Sequence, residues 1–293
     1  MFKGSFTALV TPFTDQGEID LAAYERLVDF QLEQGSDGLV VAGTTGESAA
    51  LQQDEFAALL ESAIERVAGR VPVIAGTGGA ATGRTLEQTL LAADLGADAA
   101  LVVTPYYVKP PQRGLVAHFS TVAETSPIPL VLYNVPGRTS VDMLPETVAE
   151  LCEHPNIVGI KEAVGDRDRV EQLVELCPQD FCILSGDDPT CLASMKLGAD
   201  GVISVASNAA AALMHAMCAA ALNCDWAEAD NLNERLLPLF AALALETNPI
   251  PVKWAVYAMG LAGSAIRLPL AELDEQHHGA LNSALQELGL IPG

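Results

Sequence analysis

Residues 96–103 read Gly96-Ala97-Asp98-Ala99-Ala100-Leu101-Val102-Val103, a glycine and an aspartate set directly before an apolar run. The glycine can take the left-handed conformation that ends a helix, and the aspartate can bond nearby backbone amides in the turn. The apolar run then has the length and branching of a buried strand. The same joint occurs at Gly35-Ser36-Asp37-Gly38 and at Gly198-Ala199-Asp200-Gly201, so one helix-to-strand connection is used three times.

Around these joints, eight short apolar runs fall at residues 6–10, 38–42, 71–75, 99–103, 129–133, 157–161, 181–185 and 201–205. Stretches with helical periodicity separate them, which is the pattern of βαβ units and a parallel sheet. Asp20 is placed to cap the helix ending near Gly35, and Thr85 the one ending at Gly96. Eight such units predict an α/β (β/α)8 TIM barrel, with a doubly wound open sheet as the alternative because periodicity alone does not prove closure. After Asn223 the strand pattern stops. Residues 225–245, 249–261 and 270–288 read as three helices broken by prolines. The predicted organisation is a catalytic barrel over residues 1–224 and a C-terminal three-helix appendage over 225–293.

Composition narrows the function. The formal charge is −23, from 38 acidic and 15 basic residues, which opposes binding to a phosphate backbone. Either a salt-adapted source or plain solubility accounts for that acidity. The longest apolar stretch, residues 209–222, contains His215 and is too short to span a bilayer. The opening MFKGSFTALVTPF meets Pro12 before any long apolar core, so no export signal is read and a cytoplasmic location is expected. Six scattered cysteines without a C-x-x-C suit reduced packing thiols.

In a parallel barrel, chemistry gathers where strands end. Here the ends carry Thr11, Gly43-Thr44-Thr45-Gly46-Glu47, Thr77, Thr104-Pro105-Tyr106-Tyr107, Tyr133-Asn134, Arg138, Lys161-Glu162, Ser185-Gly186 and Ser204. Lys161 stands out because an amine withdrawn from water favours its neutral, nucleophilic form and can attack a carbonyl. Its plainer reading is a strand-end lysine paired with Glu162 or Asp166. The other four lysines fall elsewhere: Lys3 at the terminus, Lys109 among prolines, Lys196 in a helix and Lys253 in the appendage. Tyr133, one strand earlier, can shuttle protons or can be a core tyrosine. The Gly43–Gly46 turn offers amides and hydroxyls to a small carboxylate, and Arg138 can grip a second one, although an ordinary turn and a solvated arginine are the defaults. Residues 76–81 match G-x-G-x-x-A without the acid that would hold a ribose. No histidine falls at a predicted strand end, so metal ligands are lacking, and there is no G-x-S-x-G elbow.

GTTGES at 43–48, TPYY at 104–107, YNVPGRT at 133–139, GIKEA at 159–163 and NPIPVKW at 248–254 together resemble the dihydrodipicolinate synthase (4-hydroxy-tetrahydrodipicolinate synthase) family. The likeness covers nearly the whole chain, with TPYY and YNVPGRT its most specific parts. It implies a lyase of lysine and diaminopimelate biosynthesis, in which the Lys161 amine forms a Schiff base with pyruvate and the enamine attacks L-aspartate-4-semialdehyde. Tyr133, Thr44 and Tyr107 are implied as a hydroxyl relay, with Tyr107 supplied by a neighbouring subunit of a homodimer or homotetramer. Thr45, Ile203 and Gly186 are implied contacts to pyruvate, and Arg138 to the semialdehyde carboxylate. No metal or organic cofactor is implied. The sequence departs from lysine-inhibited members, which often carry an amide and an acid where this chain has Ala80 and Arg84. Weak or absent lysine feedback is therefore expected. Another pyruvate lyase, such as an N-acetylneuraminate lyase or a keto-deoxy sugar acid aldolase, would share Lys161 and Tyr133, and a silent barrel would lack one of them.

Overall fold

The computed structural model describes residues 2–293. Its eight strands are β1 (Gly4–Ala8), β2 (Gly38–Val41), β3 (Val73–Gly76), β4 (Ala99–Val103), β5 (Leu130–Asn134), β6 (Ile157–Glu162), β7 (Cys182–Ser185) and β8 (Gly201–Ser204). All pair in parallel in chain order, and β1 closes on β8 through Gly4↔Gly201 to Thr7↔Ser204. The sheet is a closed (β/α)8 barrel, and the open-sheet alternative is excluded.

Eight helices lie between the strands or beside the strand ends: α1 (Leu21–Glu33), α2 (Gln53–Val67), α3 (Thr82–Leu95), α4 (Gln112–Thr125), α5 (Pro136–Thr139), α6 (Pro145–Leu151), α7 (Arg167–Leu176) and α8 (Cys191–Lys196). Four follow β8: α9 (Ser207–Leu222), α10 (Trp226–Leu243), α11 (Ile250–Ala258) and α12 (Glu275–Glu287). Asp20 caps α1 as read, accepting from the Ala23 amide at 2.9 Å. Thr85 does not cap α3. The helix begins at Thr82, and Thr85 sits within its first turn, buried, with its hydroxyl accepting from Gly79 N at 3.1 Å.

The repeated joint behaves as expected at the glycine and differently at the aspartate. Gly35, Gly96 and Gly198 all have left-handed φ, at 84°, 95° and 114°. The aspartates do not close their own turns; each reaches the preceding strand. Asp37, Asp98 and Asp200 donate their amides to Ser5 O, Val73 O and Ile183 O. Their carboxylates accept from the amides of the same three residues at 2.8, 2.8 and 3.1 Å. Each aspartate thus extends the ladder by one side-chain bond at the N-terminal ends of the strands.

Alternation along each strand divides the core. Phe6, Ala8, Val40, Ile74, Leu101, Val131, Tyr133, Leu184 and Ile203 fill the lumen. Gly38 leaves room for Phe6, since a Cβ there would fall 2.1 Å from its ring. The outward residues pack against the helices. One such cluster runs without a break from Cys191 and Met214 through Leu236 and Val256 to Leu285, so α10–α12 share their core with α8 and α9. The six cysteines are unpaired thiols. No helix among the described residues is long and apolar enough to cross a membrane.

Candidate active site

Because side chains alternate, neighbours in sequence on β5 and β6 face opposite ways. Register pairs Tyr133 with Lys161 on the lumen side and Asn134 with Glu162 on the helix side. The Lys161 amine lies 4.5 Å from the centre of the Tyr133 ring, and both residues are buried, at 5% and 6% exposed. Glu162 points away from that amine. It accepts from Asn134 Nδ2 at 3.1 Å on both oxygens and from Val164 N at 2.9 Å. The strand-end pairing of Lys161 with Glu162 or Asp166 is therefore not made.

The other lysines are occupied or exposed. Lys3 pairs with Asp200 at 2.9 Å, Lys196 with Asp230 at 2.5 Å and Lys253 with Glu47 at 2.6 Å, while Lys109 is exposed. Among the described residues Lys161 is the one lysine both buried and without a carboxylate partner. Gly186 makes room for it. A Cβ on Gly186 would lie 2.9 Å from Ala163 Cβ, closer than real Cβ atoms come, and 3.0 Å from Lys161 Cε, close enough that the lysine stem must give way. Gly186→Ala is expected to displace the lysine stem and, with Lys161 as the reacting amine proposed below, to lower kcat by roughly 10- to 100-fold, since ångström-scale misplacement of such a group has that effect. Steady-state kinetics on the purified variant test this, and a kcat within twofold of the parent would refute it.

The loop after β2 is held from below and from the side. Thr11 Oγ1 donates to Gly46 O at 2.7 Å. Glu47, in a left-handed conformation at φ 55° and 5% exposed, accepts from Lys253 Nζ on one oxygen and from Arg267 N at 3.0 Å on the other. Burial pulls the Lys253 ammonium below the usual lysine range, with Glu47 opposing that shift. Asn248 adds a second anchor: its Nδ2 donates to Thr45 Oγ1 at 3.0 Å and its carbonyl accepts from Arg138 at 3.0 Å. The two residues read as carboxylate holders are thus joined through the segment before α11.

Thr44, Glu47, Tyr106, Arg138 and Asn248 line a cavity of about 670 Å³. Ser48, Ala49, Ala80 and Arg84 stand in its wall as well. Lys161 and Tyr133 do not; Tyr133 sits in the lumen cluster with Leu101, Leu184 and Ile203. Tyr107 lies outside the site of its own chain. It is 89% exposed, its φ of 72° is a strained value for a bulky residue, and Val108 beside it is 57% exposed. The appendage residues Asn248 and Lys253 were missed as site residues because periodicity placed them in a separate unit. One signal was present: Lys253 is a lone charge in the apolar stretch 249–258, which demands a buried partner.

The Dihydrodipicolinate synthetase family matches residues 1–288. The chain belongs to that family. It is similar to the 4-hydroxy-tetrahydrodipicolinate synthase of Ectopseudomonas mendocina (strain ymp), at 50% identity over 99% of this chain and 100% of that one. The synthase of Halorhodospira halophila (strain DSM 244 / SL1) is 48% identical over 99% and 98%. In three dimensions it matches the chloride-inhibited dihydrodipicolinate synthase from Acinetobacter baumannii complexed with pyruvate, with a TM-score of 0.98, 46% identity and coverage of 99% and 100%. A chain characterised as the first monomeric dihydrodipicolinate synthase variant matches with a TM-score of 0.97 and 44% identity over 99% and 98%. Family membership makes this chain an enzyme of the lyase class.

Proposed function

We propose that this member of the dihydrodipicolinate synthetase family condenses pyruvate with L-aspartate-4-semialdehyde through a Schiff base on Lys161, the committed step toward diaminopimelate and lysine. The observation that carries this reading is the buried, carboxylate-free Lys161 amine held against Tyr133. The amine adds to the pyruvate ketone, water leaves, and the imine loses a methyl proton to give an enamine. The enamine carbon attacks the semialdehyde, whose oxygen takes up a proton and stays as a hydroxyl. The semialdehyde's own amine then displaces Lys161 from the imine carbon, closing the ring and freeing the enzyme. Overall two substrates give 4-hydroxy-tetrahydrodipicolinate and one water. The lysine supplies the electron sink, so no metal or organic cofactor enters the scheme.

Tyr133, with Thr44 and a neighbouring subunit's Tyr107, moves the protons in this reading. The 89% exposure and left-handed backbone of Tyr107 support its delivery to another chain of a homodimer or homotetramer. Thr45, Gly186 and Ile203 face pyruvate, and Arg138 takes the semialdehyde carboxylate. Residues 1–224 carry the reacting groups and 225–293 brace the loop after β2 in a cytoplasmic enzyme. Incubation with pyruvate, borohydride reduction and peptide mass spectrometry test the imine. A pyruvate adduct on Lys161 is expected, followed by consumption of the semialdehyde rather than of sialic acid; an adduct elsewhere would sink the assignment.

Feedback by lysine is proposed to be weak. Arg84 would repel the inhibitor's ammonium group and Ala80 offers no hydrogen bond to its carboxylate. Millimolar L-lysine is expected to leave most activity intact, and strong inhibition in that range would refute the proposal.

A further inference from the structure

We propose that Glu162, together with Asn134, is a positioning pair that sets the Lys161 amine against Tyr133 from the outer face of the barrel. This rests on Lys161 being the reacting amine. The two outward residues sit at the same rungs as the inward pair's neighbours, Asn134 opposite Glu162 just as Tyr133 is opposite Lys161. Asn134 is fully engaged. Its Nδ2 donates to both Glu162 oxygens at 3.1 Å and to Asp142 Oδ1 at 2.9 Å, and its Oδ1 accepts from Met143 N at 3.0 Å. Glu162 adds the Val164 amide, which fixes the chain where it leaves β6. One clamp therefore locks the ends of β5 and β6, on which both reacting side chains stand, and neither clamp residue enters the lumen.

Holding this carboxyl is costly, which argues against a role in stability alone. Glu162 is 3% exposed, and burial pushes it up to about 7 despite the opposing Val164 amide, Asn134 and Arg169. The charged groups that face it are Arg169 of α7, 3.9 Å away, and Asp142 of the α5–α6 connection, itself paired with Arg169 at 2.6 Å. An unfolded glutamate titrates near 4.5 and the folded one near 7, so between those values the folded state holds more proton. Stability therefore falls as pH rises from about 4.5 to about 7 and stays lower above that. The clamp runs the other way: protonation turns one accepting oxygen into a donor and removes a contact to Asn134.

These opposite trends give the test. In Glu162→Gln, kcat at pH 8 is expected to drop about 10-fold while Tm at pH 8 and fixed protein concentration rises by roughly 2 °C. The parent's kcat is expected to fall as pH drops below about 7, and this acid limb should be absent from Glu162→Gln. Arg169→Met, which removes the facing cation, should instead move that limb to higher pH. A Glu162→Gln enzyme with unchanged kcat at pH 8, one that loses stability along with activity, or an unmoved limb in Arg169→Met would each overturn the positioning role. Pyruvate trapping on the parent keeps the two readings apart. An adduct on Lys161 with an unchanged Glu162→Gln kcat overturns the clamp alone, whereas no adduct on Lys161 overturns both.

Discussion

Lys161→Ala is expected to fold normally, to give no borohydride-stable pyruvate adduct, and to lose on the order of 10³-fold or more in kcat. The loss follows from chemistry that nothing nearby can replace. The remaining lysines are tied up by Asp200, Asp230 and Glu47 or exposed at Lys109, and none lies in the lumen beside Tyr133. Folding should survive because two effects offset. Truncation leaves a small gap beside Gly186 and Ala163, and it also removes a buried amine that has no carboxylate partner. Cavity and desolvation terms of this size leave a net change within about 1–2 kcal/mol. A thermal melt and the trapping experiment on one preparation check both halves. Persistent labelling at Lys109 or Lys196 would show that a different amine reacts.

How far the sequence carried this reading depended on whether the physics was local. The glycine-aspartate joints announced the barrel because helix ending and strand opening are decided within four residues. Even so, the aspartates bond the preceding strand, a pairing between residues 17 to 32 positions apart that no turn rule contains. Thr85 departs from its expected capping role for a similar reason. Threonine suits a cap, yet α3 starts three residues earlier and uses that hydroxyl to hold Gly79. Lys161 was legible because a strand pattern fixes which face a residue takes. Alternation also told against its pairing with Glu162, a consequence the strand-end reading passed over. Asn248 and Lys253 were illegible as site residues, since their partners Thr45 and Glu47 lie 203 and 206 positions away. Tyr107 entered the site only through the resemblance, as a neighbouring subunit's residue, because a single chain leaves it in solvent.

The second large effect lies in that long-range contact. Lys253→Met is expected to destabilise the protein by about 3–5 kcal/mol and to raise the KM for pyruvate, while Lys253→Met combined with Glu47→Gln recovers most of the stability. Lys253 is 3% and Glu47 5% exposed, so removing the ammonium strands a carboxylate that keeps only the Arg267 amide. Burial is the largest influence on Lys253 and Arg267 adds to it, so the ammonium stays lowered despite Glu47, and a buried ion pair of this kind is often matched by an uncharged pair of the same shape. The cost therefore belongs to breaking the pair, and neutralising both partners should relieve it. Its functional consequence follows the chain. Glu47 ends the 43–47 loop that carries Thr44 and Thr45, and Lys253 also rests 4.4 Å from the centre of the Phe13 ring, to which Arg267 comes within 4.2 Å. Freeing Glu47 should loosen the proposed carboxylate cradle even though the lysine is remote in sequence from it. Urea unfolding and pyruvate KM measured on the two variants decide the matter: a single variant as stable as the parent, or a double variant no better than the single, would show that this buried pair does not anchor the loop.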